Sequence, residues 1–253
     1  MKLHHSIANF FGYELSSIKK HHPTLESHLK FLINLLKIDV LLDVGANKGQ
    51  YASMLRKIGY RGMIYSFEPV QSCFQELTAA SAVDSNWQVF NYALGAETTS
   101  MEINVMDASE FSSLLSPSSY AKDLYAQKIP IKHTETITVK RLDDVFSIII
   151  GDNKFNGLFL KMDTQGYDLK VLAGATQMLN KVVALQSEIS VMPLYEGMPD
   201  YIESLNVFRQ AGFELTGLYP VSRDPGSLQL IELDCVMRRV DKVFMANNSV
   251  YSA

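Results

Sequence analysis

From residue 40 onward the chain repeats one unit, a short continuous apolar run followed by a stretch with helical spacing. "VLLDV" (40–44), "MIYSFEP" (63–69), "WQVFNYALG" (87–95), "LFLKMD" (158–163) and "VVALQSEIS" (182–190) read as strands. "QYASMLRKIG" (50–59), "SCFQELTAA" (72–80) and "YDLKVLAGATQMLN" (167–180) read as helices between them. Strands that are apolar on both faces need cover on both faces, and strands joined through helices run parallel. The pattern predicts an α/β chain built on a mostly parallel sheet with helices on both faces. "FELTGLYPV" (213–221) and "LQLIELDCVMRR" (228–239) follow one another with no helix between them. They are therefore expected to close the sheet as an antiparallel hairpin.

Two regions depart from this rhythm. "SMEINVM" (100–106) and "ETITVKRL" (135–142) alternate like half-exposed strands, and the serine-rich stretch 107–128 between them reads as a long functional or mobile loop. Ahead of the first strand, Leu25, Leu29, Leu32 and Leu36 mark an apolar helical stripe, with Pro23 suited to the first helical turn. The expected division is a helical extension over 1–38, a domain over 39–240 with an insertion around 100–141, and a tail over 241–253. His4, His5, His21, His22 and His28 read as solvated helix histidines, because no Cys or carboxylate set has matching metal-ligand spacing.

The loop after the first strand points to a ligand. In "DVGANKGQ" (43–50), Asp43 ends the strand, Gly45 turns the backbone, and Gly49 lets the helix enter close to the sheet or ligand. The helix start offers free N–H donors and a partial positive charge, with Asn47 and Gln50 beside it. The spacing lacks the three glycines that cradle a pyrophosphate, and a dianionic pyrophosphate would repel Asp43. A ligand combining an ammonium, a carboxylate and a ribose suits the loop better, and S-adenosylmethionine has those groups. Glu68, followed by Pro69, lies about 20 residues beyond the loop, where an acid accepts hydrogen bonds from vicinal ribose hydroxyls. The third strand brings Asn91 and Ala93 to the same rim, with the Asn91 amide placed to bracket adenine.

"DVGANKGQY", "FEP", "NYALG", "EFSSLL", "LKMDTQGYDLKVLAGA", "SEIS", "PLYEGMPDY" and "GFEL" occur in this order. Together they resemble the FkbM-type methyltransferases over about residues 40–239. The resemblance implies a class I methyltransferase fold, a Rossmann-like seven-stranded sheet. It also implies S-adenosylmethionine dependence, commonly as an O-methyltransferase acting on a hydroxyl of a sugar or natural product. It leaves the acceptor open and does not cover residues 1–38.

Methyl transfer from a sulfonium is an in-line displacement, so the protein aligns the nucleophile and helps remove its proton. Asp163 ends the fourth strand, beside the first, and its role is base, metal ligand or anchor for the cofactor amine. Glu188, near the end of the fifth strand, pairs with it as base or as ligand for a divalent metal. His133 is the histidine outside the N-terminal segment and a third candidate base. Asp168 reads as a cap or first-turn acid, and Gly166 as a close turn. Ser112 and Ser113, with Tyr195 and Glu196, read as acceptor-pocket walls.

The net charge of −4 argues against a general nucleic-acid or anionic-membrane binder. Nor does the motif of a nucleic-acid base methyltransferase occur. Hydrophobic residues make up 47% of the 253, enough for a core without a disulfide or metal staple. Cys73 and Cys235 read as reduced thiols. "MKLHHSIANFFGYELSS" has no signal-peptide pattern, and no apolar run reaches the ~18 residues of a membrane helix. The expectation is a cytoplasmic enzyme with a small-molecule acceptor and no nucleic-acid or membrane partner, its oligomeric state open. The rival readings are a nicotinamide-dependent oxidoreductase and a non-catalytic interaction module of the same fold.

Overall fold

The computed structural model describes residues 7, 8, 10–12, 22–125, 129–151 and 153–240. His4, His5, His21, most of the N-terminal extension before residue 22, and the tail 241–253 lie outside the described residues. In chain order the elements begin α1 (Leu25–Leu35), β1 (Val40–Val44), α2 (Gln50–Lys57), β2 (Met63–Phe67), α3 (Gln71–Ser81) and β3 (Trp87–Phe90). β4 (Ala93–Leu94), β5 (Thr99–Met106), α4 (Ser119–Leu124) and β6 (Ile131–Lys140) follow. The series ends α5 (Leu142–Ile150), β7 (Leu158–Met162), α6 (Asp168–Ala173), β8 (Val182–Ser190), α7 (Tyr201–Gln210), β9 (Phe213–Arg223) and β10 (Leu230–Arg239).

The main sheet has seven strands in the order β3-β2-β1-β7-β8-β10-β9. β3, β2, β1, β7 and β8 pair in parallel, and β10 runs antiparallel to both β8 and β9. This is the class I methyltransferase arrangement, with the late hairpin placing its second strand inside its first. All five residues of β1 and of β7 are buried. One apolar cluster joins Val40, Leu42, Leu160 and Leu185 to helix residues such as Val145, Leu172 and Phe208. A second joins Leu41, Ile64 and Phe159 to Leu29, Leu32, Leu55 and Leu77. Alternate residues of one strand thus pack under different helices. Among the described residues, no helix is long and apolar enough to cross a membrane.

The strand order reverses at β1, with β2 on one side and β7 on the other, and a crevice lies at the carboxyl end of the sheet beside the loops leaving β1 and β7. A second sheet, β4-β6-β5, stands over that end and carries the insertion. The serine-rich stretch is less of a loop than its composition predicts. Asn104 and Ser113 exchange backbone hydrogen bonds, Pro117 bridges Tyr195, and α4 follows with Ser118 as its cap.

Other expectations shift for local reasons. The third strand stops at Phe90, because the chain turns at Asn91 and Ala93–Leu94 joins β6 of the second sheet. The helix expected over 167–180 ends after Ala173, where Gly174 is the cap and the chain turns; a Cβ on Gly174 would lie 1.9 Å from the Gly95 carbonyl oxygen, so only glycine fits the turn. Pro23 precedes α1 rather than opening it, and Thr24 caps that helix in a reciprocal box with Ser27. His28 is not solvated. It is 6% exposed, its ring packs 5.7 Å from that of Tyr219, and burial lowers its pKa.

Candidate cofactor and acceptor site

A cavity of about 350 Å³ fills the crevice. One wall is apolar, from Phe67, Pro69, Val70, Ala93, Leu94 and Ile103. The loop after β1 contributes Gly45 and Asn47, and the loop after β7 contributes Asp163, Thr164 and Gln165. The insertion closes the far side with Ser109, Phe111, Ser112, Ser113 and Tyr125, while Glu188, Ser222 and Glu232 reach in from the β8–β10–β9 end. The carboxylates of Glu68, Glu110, Asp163, Glu188 and Glu232 all belong to this lining. Among the described lining residues there is no Lys, Arg or His.

Each candidate has a definite place. Gly45 has φ +76, and a Cβ there would stand 1.9 Å from the Asp163 carbonyl oxygen, so the loops after β1 and β7 touch through this glycine. Gly49 has φ +88 and abuts the Trp87 ring, so it seats α2 against the sheet rather than against the cavity. Asn47 adopts φ +47, its N–H donates to Glu68 Oε2 at 2.8 Å, and its Oδ1 accepts from the Ser109 hydroxyl. The other Glu68 oxygen accepts from the Val70 N–H at 2.8 Å. Glu68 is 6% exposed, and burial pushes its pKa up to about 7 against the pull of those two donors.

Four cofactor-side expectations need correction. Asp43 does not face the cavity. It is fully buried, accepts from the Ser66 hydroxyl at 3.1 Å, and pairs with the Lys161 ammonium at 3.2 Å. Its strand position turns the side chain under the sheet, toward α2, rather than past the strand end. Gln50 is exposed and accepts from the Lys48 N–H. Asn91 donates to the carbonyls of Glu68 and Pro69, so it braces the loop after β2 instead of lining the cavity. Gly49, as described, also lies behind the lining.

On the acceptor side, Asp163, Glu188, Ser112 and Ser113 line the cavity, and His133, Tyr195 and Glu196 do not. His133 sits on the outer, exposed part of β6, opposite Val105, and pairs with Glu135 at 2.9 Å. Glu196 is exposed. Tyr195 is buried behind the wall, its hydroxyl 2.8 Å from Gln165 Oε1 and 2.9 Å from the Phe111 carbonyl. Asp168 is buried, accepting from Thr164 N–H at 2.9 Å and from the Ser187 hydroxyl at 2.5 Å, so it fixes the turn after β7. Among the described residues, no three His, Cys, Asp or Glu side chains are grouped to hold a metal ion.

Three contributors escaped the sequence reading. Lys161 and Glu232 are charged residues set inside apolar strands, and that setting was the available signal. Gln165 had none beyond its neighbours. Glu188 and Glu232 hydrogen-bond to each other, and Glu232 also accepts from the Ser222 hydroxyl at 2.9 Å. Burial, with Asp163 close by, raises the pKa of both above the ordinary value of 4.5, that of Glu188 strongly. A carboxyl raised in the folded state binds its proton more tightly there. Its stabilising contribution is complete below 4.5 and is lost as pH rises through the folded value. Glu232→Gln keeps the hydrogen bonds and removes the charge. It is expected to melt about 2–4 °C above the parent near pH 8 and no higher near pH 4, read by thermal denaturation at both pH values.

A profile of the Methyltransferase FkbM domain matches residues 43–215, from the end of β1 into β9. The chain belongs to this family. The FkbM match covers the loop after β1, the insertion, the turn after β7 and the start of the final hairpin, hence every wall of the cavity except Val221, Ser222 and Glu232. No curated protein matches the chain. Among solved structures it is similar to the magnesium protoporphyrin IX methyltransferase of Synechocystis PCC 6803, at 10% identity over 90% of this chain and 86% of that one, with a TM-score of 0.46. It is also similar to Aeropyrum pernix fibrillarin, at 14% identity over 83% and 72% of the two chains, with a TM-score of 0.44. The ribosomal protein L11 methylase of Lactobacillus delbrueckii subsp. bulgaricus shows 11% identity over 88% and 80%, with a TM-score of 0.42. These are loose overlaps, and the FkbM assignment does not depend on them.

Proposed function

We propose that this FkbM-family chain is a cytoplasmic O-methyltransferase that uses S-adenosylmethionine and methylates a hydroxyl on a sugar or natural-product small molecule. The observation that carries the reading is the acidic lining of the cavity, five carboxyl groups, three of them with pKa values raised by burial, and no basic side chain among its described lining residues. Such a chamber suits a cofactor carrying a sulfonium and an ammonium, and disfavours the diphosphate of a nicotinamide dinucleotide. It equally disfavours phosphorylated or nucleic-acid acceptors. A neutral, hydroxyl-rich acceptor fits the serines and carboxyls of the far wall. The free, buried state of Cys73 and Cys235 agrees with a reducing compartment.

The residues present fit the cofactor. The apolar wall of Phe67, Pro69, Val70 and Leu94 would take a purine, and Glu68 would accept from the ribose hydroxyls. Asp163 would face the amino-acid moiety. When bound, the cofactor supplies an electrophilic methyl group on a sulfur that leaves as a neutral thioether. The chain's own work is to align an acceptor oxygen and take up its proton. Among the cavity's carboxyl groups, the hydrogen-bonded Glu188–Glu232 pair has both pKa values raised by burial, which suits a carboxylate oxygen there to receive a proton.

The test is calorimetry with S-adenosylhomocysteine, followed by an acceptor screen with labelled methyl donor, with and without chelator and magnesium. Micromolar or tighter binding of the adenosylhomocysteine and none of NAD is the expected result. Stabilisation by NAD alone would favour the oxidoreductase, and binding of neither would favour a non-catalytic module.

A further inference from the structure

The sequence offers Asp43 as the carboxylate for the cofactor's ammonium, and the structure withdraws it. Asp43 belongs to a row of polar side chains buried under the sheet. The Trp87 indole N–H donates to Ser66 Oγ at 2.9 Å, and that hydroxyl donates to Asp43 Oδ2. Asp43 Oδ1 has the Lys161 ammonium as its neighbour. The register explains the row, since Ser66 and Lys161 flank Asp43 on the strands either side of it. On its far side Lys161 lies over the Tyr51 ring, and the Tyr51 hydroxyl donates to Gln186, which donates to Asp234.

Lys161 is the member that connects this row to the cavity. Its ammonium lies 3.2 Å from Asp43, 3.4 Å from Asp163 Oδ2 and 3.4 Å from the Gly45 carbonyl oxygen. The other Asp163 oxygen accepts from the Gln165 amide at 3.0 Å, and Gln165 is held in turn by Tyr195. Asp163 is therefore clasped on both oxygens, yet its side chain remains 32% exposed toward the cavity, while that of Asp43 is 0% exposed. One buried cation between two carboxylates neutralises one of them outright and leaves the other to present net negative charge. The inaccessible one is Asp43.

We propose that Lys161 is a positioning residue of the cofactor site, cancelling Asp43 and clamping Asp163 so that Asp163 is the carboxylate presented to the cofactor's amino-acid moiety. This rests on the S-adenosylmethionine reading above and adds to it the division of labour between two acids and one lysine. It assigns Lys161 no contact with the ligand.

The experiment compares two ligands in one assay. S-adenosylhomocysteine carries the amino-acid moiety, and 5′-methylthioadenosine lacks it while keeping the adenosine and sulfur. Lys161→Met alone leaves Asp43 buried without its cation, so the informative variant is the charge-balanced Asp43→Asn/Lys161→Met. Calorimetry is expected to show its affinity for the adenosylhomocysteine reduced about tenfold or more, with that for methylthioadenosine within about twofold of wild type. A merely structural lysine would weaken both ligands together or neither, and either pattern in the folded double variant overturns the proposal. Asp163→Asn, at a partly exposed site, must show the same selective loss, and retained preference for the adenosylhomocysteine there overturns it even where the double variant fails to fold. Wild type binding neither ligand would remove the cofactor reading itself, and this inference with it. Wild type binding both with equal affinity would overturn the inference alone.

Discussion

Gly45→Ala is expected to lower stability by about 3 kcal/mol or more and to abolish S-adenosylhomocysteine binding at any concentration where wild type saturates. Two costs add at this position. The φ of +76 is left-handed backbone, which by itself disfavours an L side chain by about 1 kcal/mol. The larger cost is steric. The new Cβ would lie 1.9 Å from the Asp163 carbonyl oxygen and 2.8 Å from its carbonyl carbon, and no side-chain rotation relieves contact between two backbones. Relief requires the loops after β1 and β7 to separate. That strains the bond from the Asp163 N–H to the Val44 carbonyl and moves Asp163 and Gly45 in the cavity lining. Gly59 supplies the control, because it has φ +103 with nothing within 4 Å of its Cβ position. Gly59→Ala carries the backbone cost alone, and its ligand affinity should match wild type. Chemical denaturation and calorimetry on the two variants separate the terms, and equal losses at Gly45 and Gly59 would remove the clash from the argument.

That glycine shows what was legible in the sequence and what was not. Strands buried on both faces leave an unmistakable signal, so β1, β2, β7 and β8 and the closing hairpin are readable from apolar runs alone. The loop between β1 and α2 is readable because close backbone approach admits only glycine. Side-chain direction is a different matter. Asp43 stands at a strand end, which suggests a rim position, but one residue of pleat decides whether a side chain faces the ligand or the underside of the sheet. The deciding partner, Lys161, lies on β7, more than a hundred residues away along the chain. Asn91 failed as a cavity residue for a similar reason. The amide is at the expected rim, and the local demand of the Glu68 and Pro69 carbonyls takes it. His133 failed because of its place along the strand: the pleat puts it on the same side as Ile137 and Val139, opposite Val105, but the first four residues of β6 are exposed and lie outside the cavity lining. Glu68 does line the cavity, at a position that follows from the parallel pairing of β1 with β2, which spacing can encode.

Glu68 is also where loss of one side chain should weaken the cofactor most. Glu68→Ala is expected to reduce S-adenosylhomocysteine affinity at least tenfold, about 1.4 kcal/mol, and calorimetry measures it directly. The loss has two sources. The carboxylate would no longer accept from the ribose, and the N–H groups of Asn47 and Val70 would lose the acceptor that joins the loops after β1 and β2. The same residue sets a pH dependence whose sign can be worked out. Burial holds the Glu68 pKa at about 7, above its ordinary 4.5, so the carboxyl keeps a proton below neutrality. Both oxygens already accept backbone N–H donors, and further hydroxyl donors are accommodated by the ionised form. Ligand binding must then expel a proton at pH 6 and need not at pH 8, so affinity rises across that interval by up to about tenfold per unit where Glu68 is protonated. Glu68→Gln cannot titrate. It should bind weakly and with little pH dependence, and a wild-type affinity that is flat between pH 6 and 8 would show that Glu68 does not ionise on binding.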